Sequence, residues 1–559
     1  MYLERTIDRP MNLTEYLFTR LRELGVTHTF GIPGDFVLPV YAVQDGFGMA
    51  TVVCAHEPGV GFAADAYARI KGLGVGLVTY GAGALNLLNP VACAYAEQSP
   101  LLIVSGGPEV AMRRPEVYLH HVVKSFDSQI NIFREVTVDS AILDDVLEAP
   151  ATIDRVLRSV VGLKRPGYLE IPRDRVFAEV PAPLGPIAPD PALPPVHEAA
   201  LDEAVAEIRA MLARAERPAL YVGVGVRRHA LTAQVVAIAE RLRLPVATDV
   251  LGKASFPESH PQFVGVYMGA LGDQKARALL DGSDCVISLG VLRFDTNTGF
   301  WTDRIDPSTL IAAEPDTLRV RYHRYDHLPI DRVVAALAGL EPDTRRTAPR
   351  FNHPAEAAPA EVAPEAGLAL KVADVIAALL GLDQSKYSFV ADVGDCWFIG
   401  LELRADVFLA PGYYASMGFG VPGALGAGMA DPDRRPFALV GDGAFQMTGT
   451  ELATMVDQGL RPIVLLLNNN SYGMLEALDA PRAYYDRRPW DYLAFARALG
   501  FAAERAATAP DLRAALDRAE ASAVPYLIEA TVAKDDLSPF LSRIRSHLAE
   551  VRRGTVMLS

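Results

Sequence analysis

Phe437-Ala-Leu-Val-Gly-Asp-Gly443 and Ile463-Val-Leu-Leu-Leu-Asn-Asn-Asn470 are short apolar runs that end on glycine, aspartate or asparagine. Runs of this length bounded by turn residues read as buried strands of a parallel sheet. In open α/β sheets ligands bind beyond the carboxyl ends of strands, and glycine lets backbone approach a phosphate closely. Asp442 offers a carboxylate and Asn469 a carbonyl oxygen, the hard ligands Mg²⁺ takes when it also bridges phosphate oxygens. Taken singly, Gly441-Asp-Gly443 is a tight turn and the asparagines a polar loop. Together, at two strand ends facing one crevice, they describe a diphosphate–metal site.

The same alternation of apolar run and amphipathic helix extends outward through the chain. From Met11 to about Arg175 it includes the strand-like Gly76–Tyr80 and Leu101–Ser105. Prolines at 181, 183, 186, 189, 191, 194 and 195 cannot sit in a helix or a central strand, so this stretch reads as an extended linker. The rhythm resumes from His197 with Ala219–Val224, Pro245–Thr248 and Cys285–Leu289. A second linker, poor in apolar period, spans Thr344 to Glu365, and a third block with strands Ser388–Ala391, Phe437–Val440 and Ile463–Leu467 follows. The expected fold class is α/β with three doubly wound parallel-sheet domains, at 11–180, 197–342 and 366–545, the linker at 343–365 joining the last two. A length of 559 residues suits several domains rather than one core.

The net charge of −15 argues against nucleic acid or an anionic membrane surface as a partner and favours a small molecule. Cys54, Cys93, Cys285 and Cys396 lie far apart, without the paired spacing of a zinc site or the density of a disulfide scaffold, so a cytoplasmic location is expected. Met1 to Pro10 is charged and has no apolar core, and no later apolar run reaches the roughly 18 residues needed to span a bilayer, so neither export nor a membrane span is expected.

The first block carries Gly31-Ile-Pro-Gly-Asp-Phe36, then His56-Glu-Pro58, Gly61-Phe-Ala-Ala-Asp-Ala-Tyr-Ala-Arg69 and Tyr118-Leu-His-His-Val-Val123. The second ends with Asp295-Thr-Asn-Thr-Gly299, and the third adds Ala391-Asp-Val-Gly-Asp395 and Tyr413-Tyr-Ala-Ser-Met-Gly-Phe-Gly420. With the glycine and asparagine turns, this set resembles the thiamine-diphosphate-dependent 2-oxo acid decarboxylases of the pyruvate decarboxylase family over nearly the whole chain. The His120–His121 pair separates that branch from the acetohydroxyacid synthases, which share the cofactor motifs. Histidine suits proton transfer because it titrates near neutrality.

The resemblance implies a fold with pyrimidine-binding, middle and diphosphate-binding domains, and thiamine diphosphate with Mg²⁺ as cofactors. It implies that Glu57 contacts a ring nitrogen of the aminopyrimidine and that Asp35, His120 and His121 move protons near the reacting carbon, with Asp295 assisting. Gly394, Asp395, Cys396, Gly441, Asp442, Gly443, Ala444, Asn469, Ser471 and Tyr472 would lie along the diphosphate, with Asp442, Asn469 and Ser471 on the metal. Met417 would wedge the cofactor and Ala415 would offer a backbone oxygen to its amine. The family builds its site from two subunits, which implies a homo-oligomer, with a dimer of dimers expected.

One position departs from the pattern. Where pyruvate decarboxylases carry a glutamate that touches the substrate carboxylate, this chain has Leu475, as do bacterial phenylpyruvate and indolepyruvate decarboxylases. Glu476 is no simple substitute, because adjacent helical side chains diverge by about 100°. With Phe540 as a second expected wall, the pocket suits an aryl or branched 2-oxo acid, decarboxylated to an aldehyde through an enamine. Carboligation of that enamine and a non-catalytic cofactor-binding paralogue remain as alternatives. Arg293 faces either a substrate carboxylate or solvent. Gly223-Val-Gly225 lacks the third glycine of a dinucleotide fingerprint and reads as structural.

Overall fold

The computed structural model describes residues 11–187, 196–351 and 368–553. Four of the linker prolines, Pro189, Pro191, Pro194 and Pro195, and positions 352–365 of the second linker lie outside the described residues. Positions 181–187 carry neither helix nor strand. The chain divides into two compact units. One comprises Met1–Ala192, Tyr414–Pro436 and Gln446–Pro462, and the other Leu193–Tyr413, Phe437–Phe445 and Ile463–Ser559. The third sequence block therefore contributes two stretches to the first unit.

The first unit holds a six-stranded parallel sheet in the order Ala50–Val53, His28–Gly31, Gly74–Val78, Leu101–Gly107, Gly167–Pro172 and Asp139–Ile142. The inner strands Gly74–Val78 and Leu101–Gly107 are buried along their whole length, as two covered faces require. Strand order reverses between His28–Gly31 and Gly74–Val78, which opens a crevice at their carboxyl ends. The helix Glu57–Lys71 starts with Pro58 in its first turn and packs on Gly420–Ala430. That approach needs glycine, since a Cβ at Gly426 would fall 2.0 Å from the Ala63 carbonyl oxygen.

The second unit holds two sheets. In one, Phe263–Tyr267, Val246–Asp249, Pro218–Val222, Cys285–Leu289 and Leu310–Glu314 run parallel. Thr317–Val320 and His323–Asp326 then extend that edge antiparallel, a departure from the all-parallel expectation. The cause is connection length: a parallel neighbour needs a crossover of a dozen or more residues, and only Pro315 and Asp316 separate the first of these strands from its predecessor. The Gly223-Val-Gly225 turn is filled by the protein itself, because a Cβ on Gly223 would lie 2.3 Å from the Gly290 carbonyl oxygen. Its glycines serve backbone packing.

The other sheet runs Phe408–Leu409, Tyr387–Ala391, Arg435–Gly441, Ile463–Asn468, Tyr526–Thr531 and Ala502–Ala506. Its order reverses between Tyr387–Ala391 and Arg435–Gly441, whose ends carry Gly394-Asp395 and Gly441-Asp442-Gly443. Among the described residues, no helix is long and apolar enough to cross a membrane.

Candidate active site

Asp442 opens the helix Asp442–Thr448 directly after the strand and is 2% exposed. Its Oδ2 is buried without a hydrogen-bond partner, and burial pushes the carboxyl up to about 7 against the pull of the Gly443 N–H. A buried carboxylate oxygen without a partner is costly unless a cation meets it. The asparagine run divides its labour. Asn468 is an internal clamp: its Nδ2 donates to Glu529 Oε1 at 2.7 Å and its Oδ1 accepts the Asn470 N–H at 3.1 Å. Asn469 Oδ1 accepts the Ser471 N–H at 3.0 Å, and its Nδ2 would lie 2.5 Å from a Cβ on Gly473. Asn470 sits at φ 53° with a buried, partnerless Oδ1.

A Cβ added to Gly443 would strike the Tyr472 ring at 2.5 Å, whereas beside Gly441 and Gly394 the space is open. An orphaned carboxylate, an amide loop and open glycine backbone together fit a metal-bound diphosphate. The Ser471 hydroxyl donates to Glu476. Glu476 thus turns back onto the asparagine loop while Leu475 is 44% exposed, as helical divergence requires.

Asp395 begins the helix Asp395–Glu402. Its Oδ2 accepts the Ser538 N–H at 2.9 Å, its Oδ1 is buried without a partner, and burial pushes the carboxyl up to about 6. Cys396 is buried, and burial together with Asp395, Asp392 and Asp442 pushes its thiol far up, so it is a neutral neighbour. Ala444 is buried. Phe540 is 3% exposed and packs on Phe398 with Arg543 over its ring, so its side chain belongs to the core, and of the two expected walls only Leu475 presents surface.

Asp295 is exposed, its Oδ1 capping the Thr296 N–H at 2.7 Å. Its loop is anchored by Asn297, whose Nδ2 donates to Asp249 Oδ2 at 2.9 Å and to the Leu292 carbonyl at 2.6 Å. Asp249 is fully buried and pushed up to about 7 by burial. Arg293 is about half exposed and so faces solvent, where it pairs with Asp303 at 2.6 Å.

In the first unit, Asp35, His120 and His121 converge at the carboxyl-end crevice. His120 Nε2 lies 2.6 Å from Asp35 Oδ2, and Thr79 Oγ1 donates to Asp35 Oδ1 at 3.3 Å. Burial pushes the Asp35 carboxyl up, but the His120 hydrogen bond and charge, with smaller help from Phe36 and His121, leave it below its usual value. His121 sits at φ 69°, with Nδ1 2.8 Å from the Tyr80 carbonyl, and the Phe36 ring packs against both imidazoles. Gly81, at φ 65°, is required there because a Cβ would lie 2.2 Å from the His121 carbonyl oxygen.

Glu57 lies at the start of its helix, where the macrodipole favours a carboxylate, and its side chain is 19% exposed. Its Oε2 accepts from Asn86 Nδ2 at 2.9 Å. Ala415 takes φ 58°, and its segment is clamped by Glu97 Oε1 on the Tyr414 N–H at 3.0 Å and by Asn89 on Ser416 Oγ at 2.7 Å. Met417 follows, partly buried.

Glu451 and Asn86 were not found from sequence. The buried Glu451 carboxylate accepts the Ala55 N–H at 3.1 Å and the His56 N–H at 3.2 Å, pinning the turn that delivers Glu57; burial raises its carboxyl above the usual value.

Three family models match the chain: Thiamine pyrophosphate enzyme, N-terminal TPP binding domain, over residues 11–132; its central domain over 205–337; and its C-terminal TPP binding domain over 392–530. The chain is a thiamine-diphosphate enzyme. Indole-3-pyruvate decarboxylase of Azospirillum brasilense is 39% identical over 541 residues, 95% of this chain and 97% of that protein. A probable pyruvate decarboxylase of Schizosaccharomyces pombe is 29% identical over 552 residues, 96% of each, and pyruvate decarboxylase isozyme 1 of Saccharomyces cerevisiae is 29% identical over 507 residues, 88% of this chain and 89% of that one. Within the class, the chain belongs to the thiamine-diphosphate-dependent 2-oxo acid decarboxylases, which generally use Mg²⁺ as well.

Proposed function

We propose that the enzyme decarboxylates a bulky 2-oxo acid, with aryl acids such as phenylpyruvate or indolepyruvate favoured over branched ones, and releases the aldehyde. Leu475 carries this reading: an exposed apolar side chain stands where an acid would otherwise meet the substrate, and the indole-3-pyruvate enzyme is the more similar of the relatives named. When bound, thiamine diphosphate supplies the electron sink for the charge left by CO₂ loss. Asp442, Asn469 and Ser471 would hold Mg²⁺. Gly441, Gly443, Ala444, Gly394, Asp395, Cys396 and Tyr472 lie along the diphosphate. Met417 wedges the cofactor, and Ala415 offers its backbone oxygen.

Asn86 occupies one oxygen of Glu57, which leaves the other for the pyrimidine nitrogen. Asp35 and His120 share a proton across their 2.6 Å contact, and the Tyr80 carbonyl holds His121 in one tautomer, so these groups deliver and remove protons at the reacting carbon. Asp295 assists from its anchored loop. The working form is a cytoplasmic homo-oligomer, a dimer of dimers, with the domain limits given above.

Initial rates of CO₂ and aldehyde release with pyruvate, a branched 2-oxo acid, phenylpyruvate and indolepyruvate test the substrate. Highest kcat/KM on the aryl acids is expected. A preference for pyruvate contradicts the Leu475 argument, and a C–C coupled main product favours carboligation.

A further inference from the structure

One ligand-type atom from each of Asp35, His120 and His121 lies within 4.8 Å of the other two. A tetrahedral zinc ion with ligands at about 2.1 Å sets its donor atoms about 3.4 Å apart, so small side-chain adjustments close the set around one ion. The surrounding bonds are those a metal site uses to orient its ligands. The Tyr80 carbonyl engages His121 Nδ1, which leaves Nε2 as the free lone pair, and Thr79 Oγ1 holds the Asp35 oxygen opposite His120. Solvent reaches the cluster, since the Asp35 and His120 side chains are 45% and 58% exposed. An incoming ion therefore keeps open coordination positions.

We propose that Asp35, His120 and His121 form a binding site for a divalent ion of the zinc type, separate from the Mg²⁺ position at Asp442. Two imidazoles and one carboxylate select zinc, cobalt or copper over Mg²⁺, which prefers an all-oxygen octahedron. Occupancy takes up the lone pairs that carry protons, so the ion inhibits turnover; this consequence rests on the role proposed above for the three residues, whereas binding does not.

The test is calorimetric titration of Zn²⁺ into the Mg²⁺- and thiamine-diphosphate-loaded enzyme in excess Mg²⁺, with Co²⁺ absorption as a second readout. One ion per chain is expected. His120→Ala and His121→Ala should each weaken it by on the order of 100-fold, and Thr79→Val, which leaves all three ligands in place, by roughly tenfold. No saturable binding, or binding unchanged in both histidine variants, overturns the site. Histidine-dependent binding that leaves turnover intact supports the site and contradicts the proton-carrying role.

Discussion

Arg69 is a buried cation whose loss the fold should tolerate poorly. Its guanidinium bonds Asp65 at 2.7 Å and Glu97 at 2.9 Å, with side chains 2%, 0% and 0% exposed. Arg69→Met leaves two carboxylates buried without their shared charge. Removing one partner of a buried ion pair costs about 3–5 kcal/mol, and with two acids on one cation the upper end is expected. At about 2–4 °C per kcal/mol for a domain of this class, unfolding should begin roughly 10–20 °C lower. Thermal and urea unfolding of both proteins at one neutral pH should show this deficit. Thiamine-diphosphate affinity should fall too, because Glu97 also holds the Tyr414 N–H ahead of Ala415. A deficit under about 1 kcal/mol refutes the reasoning.

Asp442→Asn keeps the shape but not the charge of the orphaned carboxylate, and cofactor affinity measured with Mg²⁺ should fall by about 100-fold. Glu451→Gln sets an amide against the Ala55 and His56 N–H groups; a cost of about 1–3 kcal/mol in unfolding and a lower kcat are expected. Leu475→Glu should lower kcat/KM for phenylpyruvate relative to pyruvate by about 10- to 200-fold, read from paired progress curves.

Strand positions were legible because buried parallel strands are continuous apolar runs: Cys285–Leu289 matches the observed strand, and the expected Ile463–Leu467 stops one residue short of Asn468. The glycine turns and the histidine pair were legible because their spacing is local. What sequence hid is long-range. Glu451 reaches His56 across 395 positions, and nothing around either residue signals the other. Asp249 and Asn297, 48 positions apart, meet only once the parallel sheet brings the strand end at Asp249 to the loop of Asn297. The attachment of Tyr414–Pro436 to the first unit follows from small-residue helix packing at Gly426, which periodicity alone does not reveal. The Thr317–Asp326 hairpin escaped because its outer strand, His323–Asp326, is mostly exposed and polar.

The most direct test of the account is CO₂ release from phenylpyruvate by the native enzyme and by Glu57→Gln, each with and without thiamine diphosphate and Mg²⁺. The account predicts cofactor-dependent CO₂ with aldehyde in equal amount from the native enzyme, and a rate lower by about 10²–10⁴-fold in the variant at saturating cofactor. CO₂ release that survives Glu57→Gln undiminished, or that proceeds without the cofactor, would contradict it.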